Sequence, residues 1–80
     1  MNKALTPPKG IIIKPKVRFG QPIVANTRIT VADILGLVEA GYRIDEVPVQ
    51  YPVVSLKAAR QALRYAASIL GKEEVLMISA

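Results

Sequence analysis

The 80-residue sequence predicts a mainly α domain with a short N-terminal β element, and three observations carry that prediction. Apolar residues recur at helical spacing from Val31 to Val38 and again after Ser55. β-Branched, partly alternating residues are confined to the runs Ile11–Phe19 and Pro22–Ala25. Gly20, Gly41, Pro52 and Gly71 fall between the periodic segments and punctuate them.

Residues 1–10, with Pro7, Pro8 and Gly10 among polar neighbours, read as a flexible leader. The run IIIKPKVRF from Ile11 reads as an edge strand bent at Pro15, because proline donates no ladder hydrogen bond. Gly20-Gln21 separates it from the second extended run at hairpin-like spacing, and Asn26 before Thr27 marks another turn. Thr30 with Asp33 three residues later is a capping-box-like start for a helix that ends at Gly41. A short second helix begins near Ile44, where Asp45 and Glu46 suit the positive end of the helix dipole, and stops at Pro52; Pro48 inside it predicts a kink. Ser55 caps the longest helix, which runs to Gly71. Its spacing puts Leu56, Ala59, Leu63, Ala66 and Leu70 toward the core and Lys57, Arg60, Gln61, Arg64 and Ser68 on the opposite side. The organisation is thus a leader, 1–10, and a single domain, 11–80, made of a β element (11–29), a three-helix unit (30–71) and an apolar tail (72–80).

Composition limits the chemistry. There is no Cys and no His, which removes thiol nucleophiles, imidazole bases, disulfides and Cys/His zinc sites. Asp45-Glu46 and Glu73-Glu74 read as helix-end charges serving the dipole or solvent, so no catalytic residue, metal or cofactor is expected. The opening ten residues hold no apolar signal core, and no run approaches the 18–20 residues of a membrane span. A cytoplasmic protein with no membrane partner is the expectation. An apolar share of 51% is more than so small a core buries, which predicts pairing into a homodimer. Ile11, Ile13, Val17 and Phe19 of the β element and Leu76 and Ile78 of the tail are the candidate dimer or partner contacts.

The net charge of +5 is uneven. Lys3, Lys9, Lys14, Lys16 and Arg18 occur in the first twenty residues without an acid, and Lys57, Arg60 and Arg64 form a second basic stretch. Two basic surfaces fit a polyanion. Three helices, the first two joined by a Gly-containing turn and the last presenting Arg, Lys and Gln outward, have the arrangement of a homeodomain-like helix-turn-helix. On that reading Arg60, Gln61 and Arg64 lie nearest the bases of double-stranded DNA and Lys57 near phosphates. The alternative is a protein-interaction or assembly domain with no nucleic-acid role, since any amphipathic helix has a polar face.

The chain also resembles the domain-of-unknown-function 433 family. The matching stretches are Gly20 with Pro22, Thr27 to Ile29, Val31 with Asp33-Ile34-Leu35, Ala40-Gly41, Asp45-Glu46-Val47, Tyr51-Pro52, Ser55 and Ala62 to Ala66, in order and at the family's spacing. The resemblance implies a β element before a three-helix homeodomain-like unit. In relatives regarded as VapB-type antitoxins it further implies a dimeric repressor that silences a PIN-like nuclease toxin. The chain departs from the pattern at Asn26, where Gly is usual, at Arg43, where a Ser or Thr cap is usual, and at Ala59, where a larger aliphatic is common. Arg28 is expected to bond carbonyls or Asp33 and lock the β element to the first helix.

Overall fold

Sheet pairing in this chain is brief. Strands β1 (Ile11–Ile12) and β2 (Ile23–Val24) pair antiparallel, with Ile11 opposite Val24 and Ile12 opposite Ile23. The computed structural model describes residues 9–70, so Leu76, Ile78 and Glu73-Glu74 lie outside the described residues. The expected strand from Ile11 to Phe19 stops at Ile12. Pro15 instead takes the second position of a turn closed by Val17 N–H donating to the Lys14 carbonyl at 2.9 Å, a place that proline's fixed φ favours. Beyond it Arg18, Phe19 and Gly20 have φ of 49°, 60° and 77°, a left-handed run that cannot continue a strand.

Arg18 ties this turn to the rest of the molecule. Its Nη1 donates to the Arg28 carbonyl at 2.9 Å and pairs with Asp33 Oδ2 at 3.0 Å. The lock between β element and first helix therefore exists, but Arg18 makes it; Arg28 supplies its carbonyl and leaves its side chain exposed. Asn26 turns the next corner at φ 65°, the left-handed conformation that Asn tolerates better than most residues. Thr27 Oγ1 donates to the Val24 carbonyl at 2.9 Å and accepts from Ile29 N–H at 3.0 Å, and Ile23 bridges Thr30.

Helix α1 (Val31–Glu39) begins at a complete capping box. Asp33 N–H donates to Thr30 Oγ1 at 2.8 Å, and Thr30 N–H donates to Asp33 Oδ2 at 3.0 Å. It ends in a Schellman motif: Tyr42 N–H reaches the Leu37 carbonyl and Gly41 N–H the Val38 carbonyl, with Gly41 at φ 104°. A 3-10 turn, Ile44–Glu46, then leads into α2 (Val47–Gln50). Pro48 sits in the first turn of α2, where no intrahelical N–H is needed, so it removes no hydrogen bond of that helix. Arg43, lacking a capping hydroxyl, donates its N–H to Glu46 Oε1 at 2.7 Å and pairs with Asp45 at 2.8 Å. Helix α3 (Leu56–Leu70) starts with Ser55 Oγ accepting from Ala58 N–H at 3.0 Å.

The core lies where α1, α2 and β1 meet α3. It contains Ile11, Val24, Val31, Ile34, Val47 and Val54 together with Ala59, Ala62, Tyr65, Ala66 and Ala67. Small residues along α3 let its neighbours approach closely. Leu56, expected in the core stripe, is 39% exposed, and Leu63 is half-buried. Ala59 is fully buried in the same cluster as Val54, which is also fully buried and makes up volume there.

Candidate nucleic-acid interface

The outward side of α3 is built by the same periodicity that buries its alanines. Lys57, Arg60 and Arg64 are exposed at i, i+3 and i+7, and Gln61 lies among them half-buried. Together with Lys9 and Leu56 these residues line one open cleft of about 550 Å³. Among the described residues, four of the six that line it are cations and none is an acid. The α3 sequence itself contains no Asp or Glu, so the field over this face is uncompensated along the helix.

Lys9 reaches the cleft because the backbone just after it is fixed. The Gly10 carbonyl accepts from Ala25 N–H at 2.8 Å, which extends the β1–β2 pairing by one bond. Gly10 also lies directly against α3: a Cβ there would fall on Gln61 Oε1, and its φ of 99° is one that L side chains rarely adopt. The φ is what requires glycine at this position, since the Gln61 side chain could move aside for a Cβ. The sequence placed the N-terminal lysines near a polyanion in general terms; the close approach of Gly10 to Gln61 is what assigns Lys9 to the α3 face. A Gly beside a Lys just before a β-branched run was the available signal, and it carried no direction.

The structure separates the expected site residues. Lys57, Arg60, Gln61 and Arg64 come together, with Gln61 packed beside Gly10. Of the expected partner contacts, the four among the described residues differ in exposure. Ile11 is 3% exposed and belongs to the chain's own core, because Gly10 and Ile11 pair inward on β2; it is unavailable to a second molecule. Val17 is half-buried, whereas Ile13 and Phe19 are exposed. A shallow depression of about 250 Å³ on the ribbon, lined in part by Lys14, Val17, Asn26 and Arg28, is distinct from the α3 cleft and shares no residue with it.

Five charged side chains away from the cleft, Arg18, Asp33, Arg43, Asp45 and Glu46, are engaged in structural bonds. Burial raises the Asp33 pKa, but the hydrogen bond from Thr30 and the guanidinium of Arg18 outweigh it and hold the carboxyl below its ordinary value. Asp45 and Glu46 both bond Arg43, and among the described residues no group of three or more Asp and Glu gathers as a metal site. No helix among the described residues is long and apolar enough to cross a membrane.

Comparison with known proteins follows the same frame. No curated protein matches the sequence. A crystal structure of a DUF433 member protein from Anabaena variabilis ATCC 29413 has a TM-score of 0.69 at 26% identity, covering 89% of this chain and 69% of that one. The family model described as "Protein of unknown function (DUF433)" matches residues 11–66, from β1 into the last third of α3. With more than half its length matched, this chain belongs to the DUF433 family.

Proposed function

We propose that the chain binds double-stranded DNA through the outward face of α3. The observation that carries this reading is the cleft in which Lys9, Lys57, Arg60 and Arg64 converge. A duplex is the polyanion whose major groove admits one α-helix, and Arg side chains can pair with guanine O6 and N7 there. In this reading α2 and α3 form a homeodomain-like helix-turn-helix, Arg60 and Arg64 face base edges, and Lys57 and Lys9 neutralise phosphates. Gln61 is a weaker base reader than its chemistry alone implies, because it is half-buried beside Gly10. The biological setting proposed, from the family resemblance, is an antitoxin that represses its own promoter and silences a PIN-like nuclease.

A protein-interaction role is the second reading. It is favoured by the length of α2, four residues, which gives a helix-turn-helix little first helix with which to cross the phosphate backbone. Selection from random duplexes decides between the two. The DNA reading expects an enriched site, for which Arg60→Ala or Arg64→Ala costs about 1–3 kcal/mol and relaxes sequence preference, whereas Lys57→Ala weakens all sequences alike. If selection enriches nothing and these variants bind bulk duplex as wild type does, the protein-interaction reading replaces it.

A further inference from the structure

Among the described residues, the three most exposed large apolar side chains are Phe19 at 97%, Val49 at 73% and Val53 at 69%. They occur in segments of opposite charge. Residues 9–33 carry Lys9, Lys14, Lys16, Arg18 and Arg28 against Asp33 alone, which pairs with Arg18, whereas residues 39–53 carry Glu39, Asp45 and Glu46 against Arg43 alone, which pairs with Asp45. Phe19 is moreover held outward. It takes φ 60° and ψ 32° next to Arg18 at φ 49°, a left-handed pair of non-glycine residues that costs free energy and persists through the bonds of Arg18 to Asp33 and the Arg28 carbonyl. A turn that spends strain to keep an aromatic ring in water is a preorganised anchor.

We infer that Phe19 docks on the Val49 and Val53 surface of a second copy of this chain, in a two-fold pair that uses each contact twice. The basic turn meets the segment in which Asp45 and Glu46 precede α2, so the charges attract as the apolar groups bury. Pairing of two turns with each other would instead bring Lys14, Lys16 and Arg28 of both copies together. Insertion of the ring into a duplex would require unstacking of bases, a cost that a preformed apolar surface does not impose. In a closed two-fold pair both patches are used and no unmatched patch remains to extend a filament.

Sedimentation of the full chain without nucleic acid tests this independently of the DNA reading. Wild type is a dimer at micromolar concentration, and Phe19→Ala and the double variant Val49→Ser/Val53→Ser each weaken dimerisation at least about 30-fold. All three positions are exposed, so the far-UV circular dichroism spectra of the folded variants match wild type, and their melts lose only the concentration-dependent part that association supplies. The discriminating step is to mix the two variants: the mixed pair recovers one intact contact, Phe19 of one copy on the valines of the other, and associates more tightly than either variant alone. A monomeric wild type, variants as dimeric as wild type, or a mixture no tighter than its parts overturns the inference. It is also overturned if Phe19→Ala spares dimerisation but weakens binding to a selected duplex, which would give the ring to nucleic acid.

Discussion

The two sides of α3 are made from the same fifteen residues and answer to different physics. Its inner side is Ala59, Ala62, Tyr65, Ala66 and Ala67, buried against α1, α2 and β1, where volume decides what is allowed. Its outer side is Lys57, Arg60 and Arg64 in solvent, where charge matters and volume hardly does. The difference teaches that substitutions on this helix sort by face: inner changes act on folding, and outer changes act on what the folded chain binds. Gly10 and Gln61 are the seam between the two, because backbone there touches a side chain of the outer row.

The sharpest break in that division is predicted on the inner side. Ala59→Leu forces extra methylenes into a fully buried position and destabilises the chain by about 1–3 kcal/mol in urea unfolding. Arg60→Ala, one residue away on the outer side, changes stability by less than about 0.5 kcal/mol in the same assay. Equal costs would show that the two faces are not separated as described.

Asp33 is the next largest effect and lies away from α3, so it tests whether the lock on α1 is independent. Its folded pKa is lowered, so its contribution is fully present above the unfolded carboxylate value of about 3.9 and disappears as pH falls through the folded value. Asp33→Asn therefore lowers stability at pH 7, by about 1 kcal/mol on the scale of a lost capping group, and the gap to wild type closes as pH falls through the lowered folded value. A gap that persists unchanged into acid would mean that the carboxylate charge is not what stabilises the wild type.

Gly10→Ala probes the seam, with a comparable cost of about 1 kcal/mol from its positive φ. Gln61 is a flexible side chain and can swing away, so adding Gln61→Ala recovers the part due to collision and leaves the part due to backbone strain. If the double variant is no more stable than Gly10→Ala, the contact with Gln61 carries no weight and Lys9 is not positioned by it.

These contrasts also show why some of the molecule was readable from its sequence. The Thr30–Asp33 capping box, the Gly41 stop and the Ser55 start are set by residues within a turn of each other, and the structure has all three. The strand expected through Phe19 ends at Ile12 because the Pro15 turn and the left-handed run at Arg18–Gly20 take over, and the contact that holds that run, Arg18 with Asp33, spans fifteen positions and has no local sign. Leu56 was placed in the core because leucine dominates a hydropathy pattern. The helix instead buries alanines and Tyr65, since close approach to α1 selects small side chains. The cationic row at Lys57, Arg60 and Arg64 was legible from spacing, while the contribution of Lys9 depended on where Gly10 lies in space.

The most direct measurement of the central claim is the salt dependence of duplex affinity for wild type and for Arg60→Glu/Arg64→Glu. Each neutralised phosphate releases counterions, so four cationic contacts per chain give log affinity against log salt a slope of about −4 per chain. The charge-reversed protein, with its inner face untouched, keeps its fold and loses most of both affinity and slope. A wild-type affinity indifferent to salt, or a reversed protein with the wild-type slope, would contradict the assignment of DNA binding to the outward face of α3.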